Sequence, residues 1–271
     1  MPAFFDTHAH LDFPDFEADL PQVIERAQAA GIEKMISIGT DLDSSARAIK
    51  LAERFPCVFA AVGWHPGHVT AAPSDVRPAL RELVKHRRVV AIGETGLDYY
   101  RLPSTQNGGT AADDEQYKQR QAELFKQQLE VAAEAGLNCV IHQRGDCFND
   151  TLALLTPFAG RVRGVFHCFA SDTETMRRVL ALGSIVSFTG IVTFKNAQSV
   201  RDTVAATSLG QFMLETDCPY LAPVPYRGKR CEPAYVKEIS ETVAKVKGCS
   251  LEELSAATCG TAEEFFWKLT A

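Results

Sequence analysis

Four histidines and two acidic residues, spread between positions 8 and 217, have the chemistry of a two-metal site: His8, His10, Glu94, His142, His167 and Asp217. Each follows a short apolar run. These runs are Ala3-Phe4-Phe5 before the histidine pair, Val89-Val90-Ala91-Ile92 before Gly93 and Glu94, Cys139-Val140-Ile141 before His142, Val165-Phe166 before His167, and Phe212-Met213-Leu214 shortly before Asp217. Side chains alternate faces along a strand, so His8 and His10 point the same way and can grip one ion. His142 and His167 suit a second ion. A carboxylate has two oxygens and can join two cations, which makes Glu94 the candidate bridge. Two neighbouring ions polarise an electrophile and ionise water near neutral pH, and Asp217 is placed as the base that takes the proton. Imidazole with carboxylate suits Zn, Mn, Fe or Co, whereas Mg favours oxygen ligands. Taken singly, each residue also reads as an ordinary structural one: a satisfied histidine, a helix cap or a surface acid. Asp6 lies on the face of His8 and suits either support of the ligands or a hydrogen bond within the core. The glycines flanking Glu94 suggest close backbone approach at a crowded place.

Short apolar runs read as buried strands, and ligands at the ends of several strands suggest a barrel with its site on one rim. Strand patterns fall near 3–6, 34–38, 57–63, 88–93, 138–142, 162–167, 184–188 and 211–216. Helical patterns fall between them, and two more follow at about 233–247 and 251–268. Strands separated by helices run parallel and cross over in one hand. Eight such units predict a (β/α)8 TIM barrel with an extra C-terminal helix, over a single domain spanning 1–271. A doubly wound open sheet competes, but no Gly-rich phosphate turn follows the first strand.

The chain has 271 residues, 46% hydrophobic, with 23% charged residues and a formal net charge of -6. One barrel of about 250 residues would use nearly all of it. A mildly acidic chain has no global electrostatic grip on nucleic acid, so any such grip must be local. The eight cysteines contain no Cys-x-x-Cys pair and read as reduced thiols. No signal-peptide pattern opens the sequence, and no apolar run approaches the ~20 residues that span a membrane. A cytoplasmic location follows as the expectation, with no membrane and no obligate protein partner.

Other polar groups fall on the same rim. His65 and His68 follow the third strand, Arg144 follows His142 by two residues, and Lys195 follows the seventh strand. Arg227, Lys229 and Arg230 put three cations into four positions soon after Asp217, a cluster suited to clamping phosphate oxygens or to a solvated basic loop. Tyr99, Tyr100, Tyr220 and Tyr226 offer faces for stacked bases or for packing under loops. The polar segment 101–113 is longer than the usual connection, and suits a functional rim loop or a disordered insertion hinged at Gly108-Gly109.

The motifs Phe5-Asp6-Thr7-His8-Ala9-His10-Leu11-Asp12, Gly93-Glu94-Thr95-Gly96-Leu97-Asp98-Tyr99-Tyr100, Ile141-His142-Gln143-Arg144, Phe166-His167-Cys168-Phe169 and Leu214-Glu215-Thr216-Asp217-Cys218-Pro219-Tyr220-Leu221-Ala222-Pro223 resemble, in order, those of the TatD family of metal-dependent hydrolases, within the amidohydrolase superfamily. The resemblance spans essentially the whole chain. It implies a (β/α)8 barrel, bound divalent metals and deoxyribonuclease activity, including 3′–5′ exonuclease action on single-stranded DNA ends. It also implies that His8 and His10 hold one ion, His142 and His167 the other, that Glu94 bridges, and that Asp217 binds the first ion while assisting the water. His65, Arg144, Arg227 and Lys229 are then the substrate-side candidates. Three rim positions depart from the family pattern: Gly67 stands between His65-Pro66 and His68, Cys231 precedes Glu232-Pro233, and the loop 101–113 is long. A two-metal barrel of this kind also suits hydrolysis of a small amide or lactone, and a non-catalytic binding scaffold is the third alternative.

Overall fold

The structure, a computed structural model, describes residues 2–106 and 108–270. Eight parallel strands form one sheet in sequential order: β1 (Phe4–Ala9), β2 (Ile32–Ile38), β3 (Val58–Val62), β4 (Val89–Asp98), β5 (Asn138–Arg144), β6 (Gly164–Phe166), β7 (Ile185–Phe188) and β8 (Phe212–Leu214). Just past β8 the chain turns back onto β1. The Asp217 N–H donates to the His8 carbonyl (2.9 Å) and the His10 N–H to the Cys218 carbonyl (2.8 Å). These bonds close the barrel at the end where the metal-ligand candidates lie. The crossovers carry α1 (Leu20–Ala29), α2 (Leu42–Arg54), α3 (Arg77–Leu83), the short α4 (Pro103–Gln106), α5 (Ala111–Ala135), α6 (Phe148–Leu155), α7 (Thr173–Ala181) and α8 (Gln198–Ala206). Two helices follow the last strand, α9 (Val236–Lys247) and α10 (Leu251–Phe265). The TIM-barrel expectation is met, with the additional C-terminal helix.

Two apolar layers result from strand alternation. Phe4, Ile32, Val58, Val62, Val89, Ile92, Cys139 and Ile141 point outward to the helices. Phe5, Ile36, Ile38, Phe59, Val90, Val140, Val165, Ile185 and Met213 fill the barrel interior, where Phe265 and Phe266 from the end of α10 join them. The C-terminal helix therefore plugs the strand-entry end. Asn138 Nδ2 donates to the Phe265 carbonyl (2.8 Å), fastening that plug to the start of β5.

The segment 101–113 is less open than a disordered insertion. Residues 103–106 form α4, and Ser104 hydrogen-bonds the Asp114 carboxylate through both its backbone N–H (2.9 Å) and its hydroxyl (2.6 Å). Thr110 and Asp113 cap α5 reciprocally, the arrangement that satisfies two free N–H groups at a helix start. Asn107, within this segment, lies outside the described residues.

Candidate metal centre

Strand alternation alone cannot put both the interior apolar layer and the ligands inside the barrel. Irregularities in β1 and β4 do so. Asp6 pairs with Met35 and Ala9 with Ser37, so β1 holds one extra residue there. That bulge turns His8 and His10 inward, although Phe5, of opposite parity, also faces in. Along β4, register shifts between Val89 and Ala91 against β3 and between Ile92 and Thr95 against β5 together leave Glu94 on the interior side with Val90. Glycine is required around it: a Cβ on Gly93 would stand 2.7 Å from Val140 Cβ. Gly96 has φ +123°, and a side chain there would run into the His142 carbonyl oxygen. The strand expected to end at 93 continues to Asp98, because the shift between Ile92 and Thr95 interrupts the apolar pattern without ending the hydrogen-bonded ladder.

The six proposed ligands converge. Glu94 is buried and its two oxygens face different groups. Oε2 lies 3.7 Å from His8 Nε2 and 3.6 Å from His10 Nε2. Oε1 lies 2.9 Å from His142 Nδ1 and 2.8 Å from His167 Nε2. Asp217 Oδ1 completes the first group, 3.5 Å from His8 Nε2 and 3.4 Å from His10 Nε2. Asp217 reaches this position with its backbone in the left-handed region, φ +59°, which aspartate tolerates better than most residues.

This spacing suits metal ions. Ligand atoms held about 2.0–2.1 Å from one ion in a tetrahedral shell stand roughly 3.4 Å from one another. The His8 and His10 Nε2 atoms are 3.4 Å apart, and His142 Nδ1 and His167 Nε2 are 3.3 Å apart. Lone pairs aimed at each other in a buried place are unfavourable unless a proton or a cation lies among them. The His8, His10 and Asp217 set, the His8, Glu94 and His167 set and the His65, Glu94 and His142 set could each hold an ion.

Surrounding groups orient these rings. His10 Nδ1 faces the Ile38 carbonyl (3.3 Å), which places its hydrogen on Nδ1 and leaves the Nε2 lone pair free. His142 Nε2 lies 3.2 Å from Asp98 Oδ2, so Nδ1 is the atom left for a ligand bond. Asp98 owes this role to its place at the true end of β4, beyond the apolar pattern that marks the strand in the sequence. Its backbone is held by the buried Gln121 of α5, which accepts from the Asp98 N–H (2.9 Å) and donates to its carbonyl (3.1 Å). Gln128, two turns on, holds Trp64 in the same two-bond manner (2.8 and 2.9 Å). Asp6 belongs to the fold: it accepts from the Thr216 N–H (2.9 Å) and hydroxyl (2.6 Å), tying β1 to the exit of β8.

The electrostatics follow from burial and crowding. Burial and the neighbouring His167 hold His8 far below the usual imidazole range. Burial also opposes the charged form of His10, His142 and His167, but the nearby carboxylates outweigh it and all three are raised. Burial would raise Glu94, yet the surrounding imidazoles hold it well below the usual carboxylate range.

His65 is pushed down to about 3, chiefly by burial, and is neutral at pH 7. The Gly67 N–H donates to its Nδ1 (2.9 Å), so the ring hydrogen sits on Nε2. That N–H points at Glu94 Oε1 (3.5 Å) and His142 Nδ1 (3.3 Å). Gly67, a departure from the family pattern, thus sets the tautomer of a cleft histidine.

The ligands open into a cleft of about 720 Å³, within the range that takes a small molecule or a chain end. His65, His68, Arg144, Tyr220 and Arg101 line it. Arg227 and Lys229 are not among its lining residues. The Arg227 guanidinium lies over the Phe194 ring, 3.8 Å from its centroid, and Arg230 is bound to Asp19 and Glu232 (each 2.8 Å). The cations facing the cleft are Arg101 and Arg144. Among the described residues no helix is long and apolar enough to cross a membrane.

The sequence matches the family model for TatD related DNase over residues 5–267. The metal-dependent hydrolase YabD of Bacillus subtilis (strain 168) is 37% identical over 263 residues, covering 97% of this chain and 98% of that one. The 3′-5′ ssDNA/RNA exonuclease TatD of Citrobacter rodentium (strain ICC168) is 32% identical over 268 residues, covering 97% of each. The crystal structure of YJJV, a TatD homolog from Escherichia coli K12, superposes with a TM-score of 0.87 at 27% identity over 97% of both chains. The chain belongs to the TatD family of metal-dependent hydrolases.

Proposed function

We propose that this protein is a two-metal phosphodiesterase that removes nucleotides from the 3′ end of single-stranded DNA. The observation that carries the proposal is the division of Glu94: one oxygen toward His8 and His10, the other toward His142 and His167. His8, His10 and Asp217 would hold one divalent ion, His142 and His167 the other, with Glu94 shared. When bound, such a pair supplies positive charge for the phosphoryl oxygens and lowers the pKa of water to near neutrality. Four imidazoles favour Zn, Mn, Fe or Co over Mg as the ions held.

The chain's own groups divide the remaining work. Asp217 is the more open of the two carboxylates, its side chain 15% exposed against 4% for Glu94, so it can take the proton of the attacking water. The His65 Nε2–H is a neutral donor directed at Glu94 Oε1 and His142 Nδ1, suited to holding the shared carboxylate in place at the cleft floor. Arg144 lies over the Tyr100 ring (4.2 Å to its centroid) at the cleft wall and offers its charge to a neighbouring phosphate. The exonuclease named TatD in Citrobacter rodentium supports the choice of substrate.

The test is release of mononucleotides from 3′-labelled single-stranded DNA in the presence of Mn or Mg. Glu94→Ala is expected to lose on the order of 10³-fold in rate, the scale on which removing a preorganised electrostatic group acts. Undiminished activity in that variant contradicts the proposed site. Hydrolysis of neutral lactones or amides with no action on DNA favours the small-substrate alternative.

A further inference from the structure

Asp98 does two things at once. One carboxylate oxygen receives His142 Nε2 (3.2 Å). The other accepts the backbone N–H of Tyr100 (2.9 Å) and of Arg101 (3.3 Å), shaping the turn that leaves β4. The residue that orients a ligand imidazole therefore also fixes where Arg101 stands. Arg101 is exposed and lines the cleft, and among the described residues its guanidinium makes no ion pair or hydrogen bond. Outside the cleft, Arg26, Arg77, Arg81, Arg163 and Arg230 all bond carboxylates.

Across the mouth, on the segment after β8, stands Tyr220, 54% exposed. An aromatic ring held that open over a polar cleft has a free face. Phe13 lies edge-to-face with it (centroids 6.3 Å apart) and stacks on His10 (4.6 Å). Arg101 follows β4 and Tyr220 follows β8, so the two residues line the same cleft from opposite sides of the barrel mouth. A cation facing an aromatic platform is the combination that holds single strands, the charge on phosphate and the ring under a base.

We infer that Arg101 is a substrate-positioning residue that binds a phosphate beside the scissile one, while Tyr220, backed by Phe13, stacks the base of the terminal nucleotide. This rests on the nuclease function proposed above and assigns that cleft a contact beyond the bond being cut. A small diester with no neighbouring phosphate gains nothing from Arg101.

The experiment compares Arg101→Ala, Arg101→Lys and Tyr220→Ala with the wild-type enzyme, all loaded with Mn and matched for metal content. The substrates are a short oligothymidylate and bis(p-nitrophenyl) phosphate. For the oligonucleotide, Arg101→Ala is expected to raise KM about tenfold with kcat little changed, as loss of one charge-assisted contact does. Its slope of log(kcat/KM) against log salt is expected to flatten by about 0.7, one phosphate contact on a single strand. Arg101→Lys keeps the slope, and Tyr220→Ala raises KM without altering it. Hydrolysis of bis(p-nitrophenyl) phosphate is unchanged in the two Arg101 variants. An unchanged KM and salt slope in Arg101→Ala overturns the inference, as does an equal loss on both substrates. Wild-type enzyme that hydrolyses the small diester but leaves the oligonucleotide intact overturns the nuclease proposal, and this inference with it.

Discussion

At the strand-entry end of the barrel, Phe5, Phe59 and Val140 share an apolar cluster with Phe265 and Phe266 of the closing helix. At the exit end, β1, β4 and β5 present His8, Glu94 and His142, with ring nitrogens and carboxylate oxygens 2.9 to 3.7 Å apart. Both ends are buried, yet only the first is at rest without help. The apolar end lowers its free energy by leaving water. The polar end gathers lone pairs that compete for too few protons, and among the described residues His8 Nδ1 and His167 Nδ1 make no hydrogen bond. The contrast shows where this chain spends the stability of its core: an ordered hydrophobic plug holds together a cluster that calls for cations.

Breaking the entry end should have the largest effect on folding. Phe265 is fully buried, and Phe265→Ala is expected to cost about 3–5 kcal/mol, as large-to-small changes in cores do. Denaturant unfolding measures the loss, and the activity of the molecules that remain folded should hold. A loss of activity without loss of stability would mean that the two ends are not separable.

At the exit end, Asp98→Ala is expected to cost less stability than Phe265→Ala, since it leaves the core packing in place and frees only the N–H groups of Tyr100 and Arg101. It removes the acceptor of His142 Nε2, and metal affinity is expected to fall about 10–100-fold, the usual effect of deleting a group that orients a ligand. Competition with a chromophoric chelator reads this directly. Unchanged affinity would show that packing alone orients the imidazole.

A smaller effect sharpens the same contrast through pH. The carboxylates around His10, His142 and His167 raise their pKa values, so the metal-free protein keeps protons that an incoming ion must expel. Raised values mean that this competition grows as pH falls. Metal affinity should therefore increase with pH through neutrality, with net proton release seen by calorimetry in two buffers of different ionisation enthalpy. Binding without proton release would contradict the protonation of the cluster.

The strand order and the six converging residues were legible in the sequence because each candidate ligand follows a buried apolar run, and polar groups in such places need a partner. Asp98 was harder to see. The apolar pattern of β4 stops at Gly93, but the ladder runs on to Asp98 through a bulge that only tertiary packing reveals. The cations were harder still. Arg227 and Lys229 stand out as charges close in sequence to Asp217, but the side of a loop that faces a cleft depends on its fold, and Arg227 lies over Phe194. Arg101 opened a segment whose turn is set by Asp98, a contact that no local pattern announces. His65 was visible as a rim histidine, whereas its tautomer depends on the N–H of Gly67.

Metal content by elemental analysis, paired with anomalous diffraction from manganese-soaked crystals, tests the central claim most directly. Two ions are expected, one beside His8 and His10 and one beside His142 and His167, with Glu94 between them. A single ion away from Glu94, or none at any metal concentration, would contradict it.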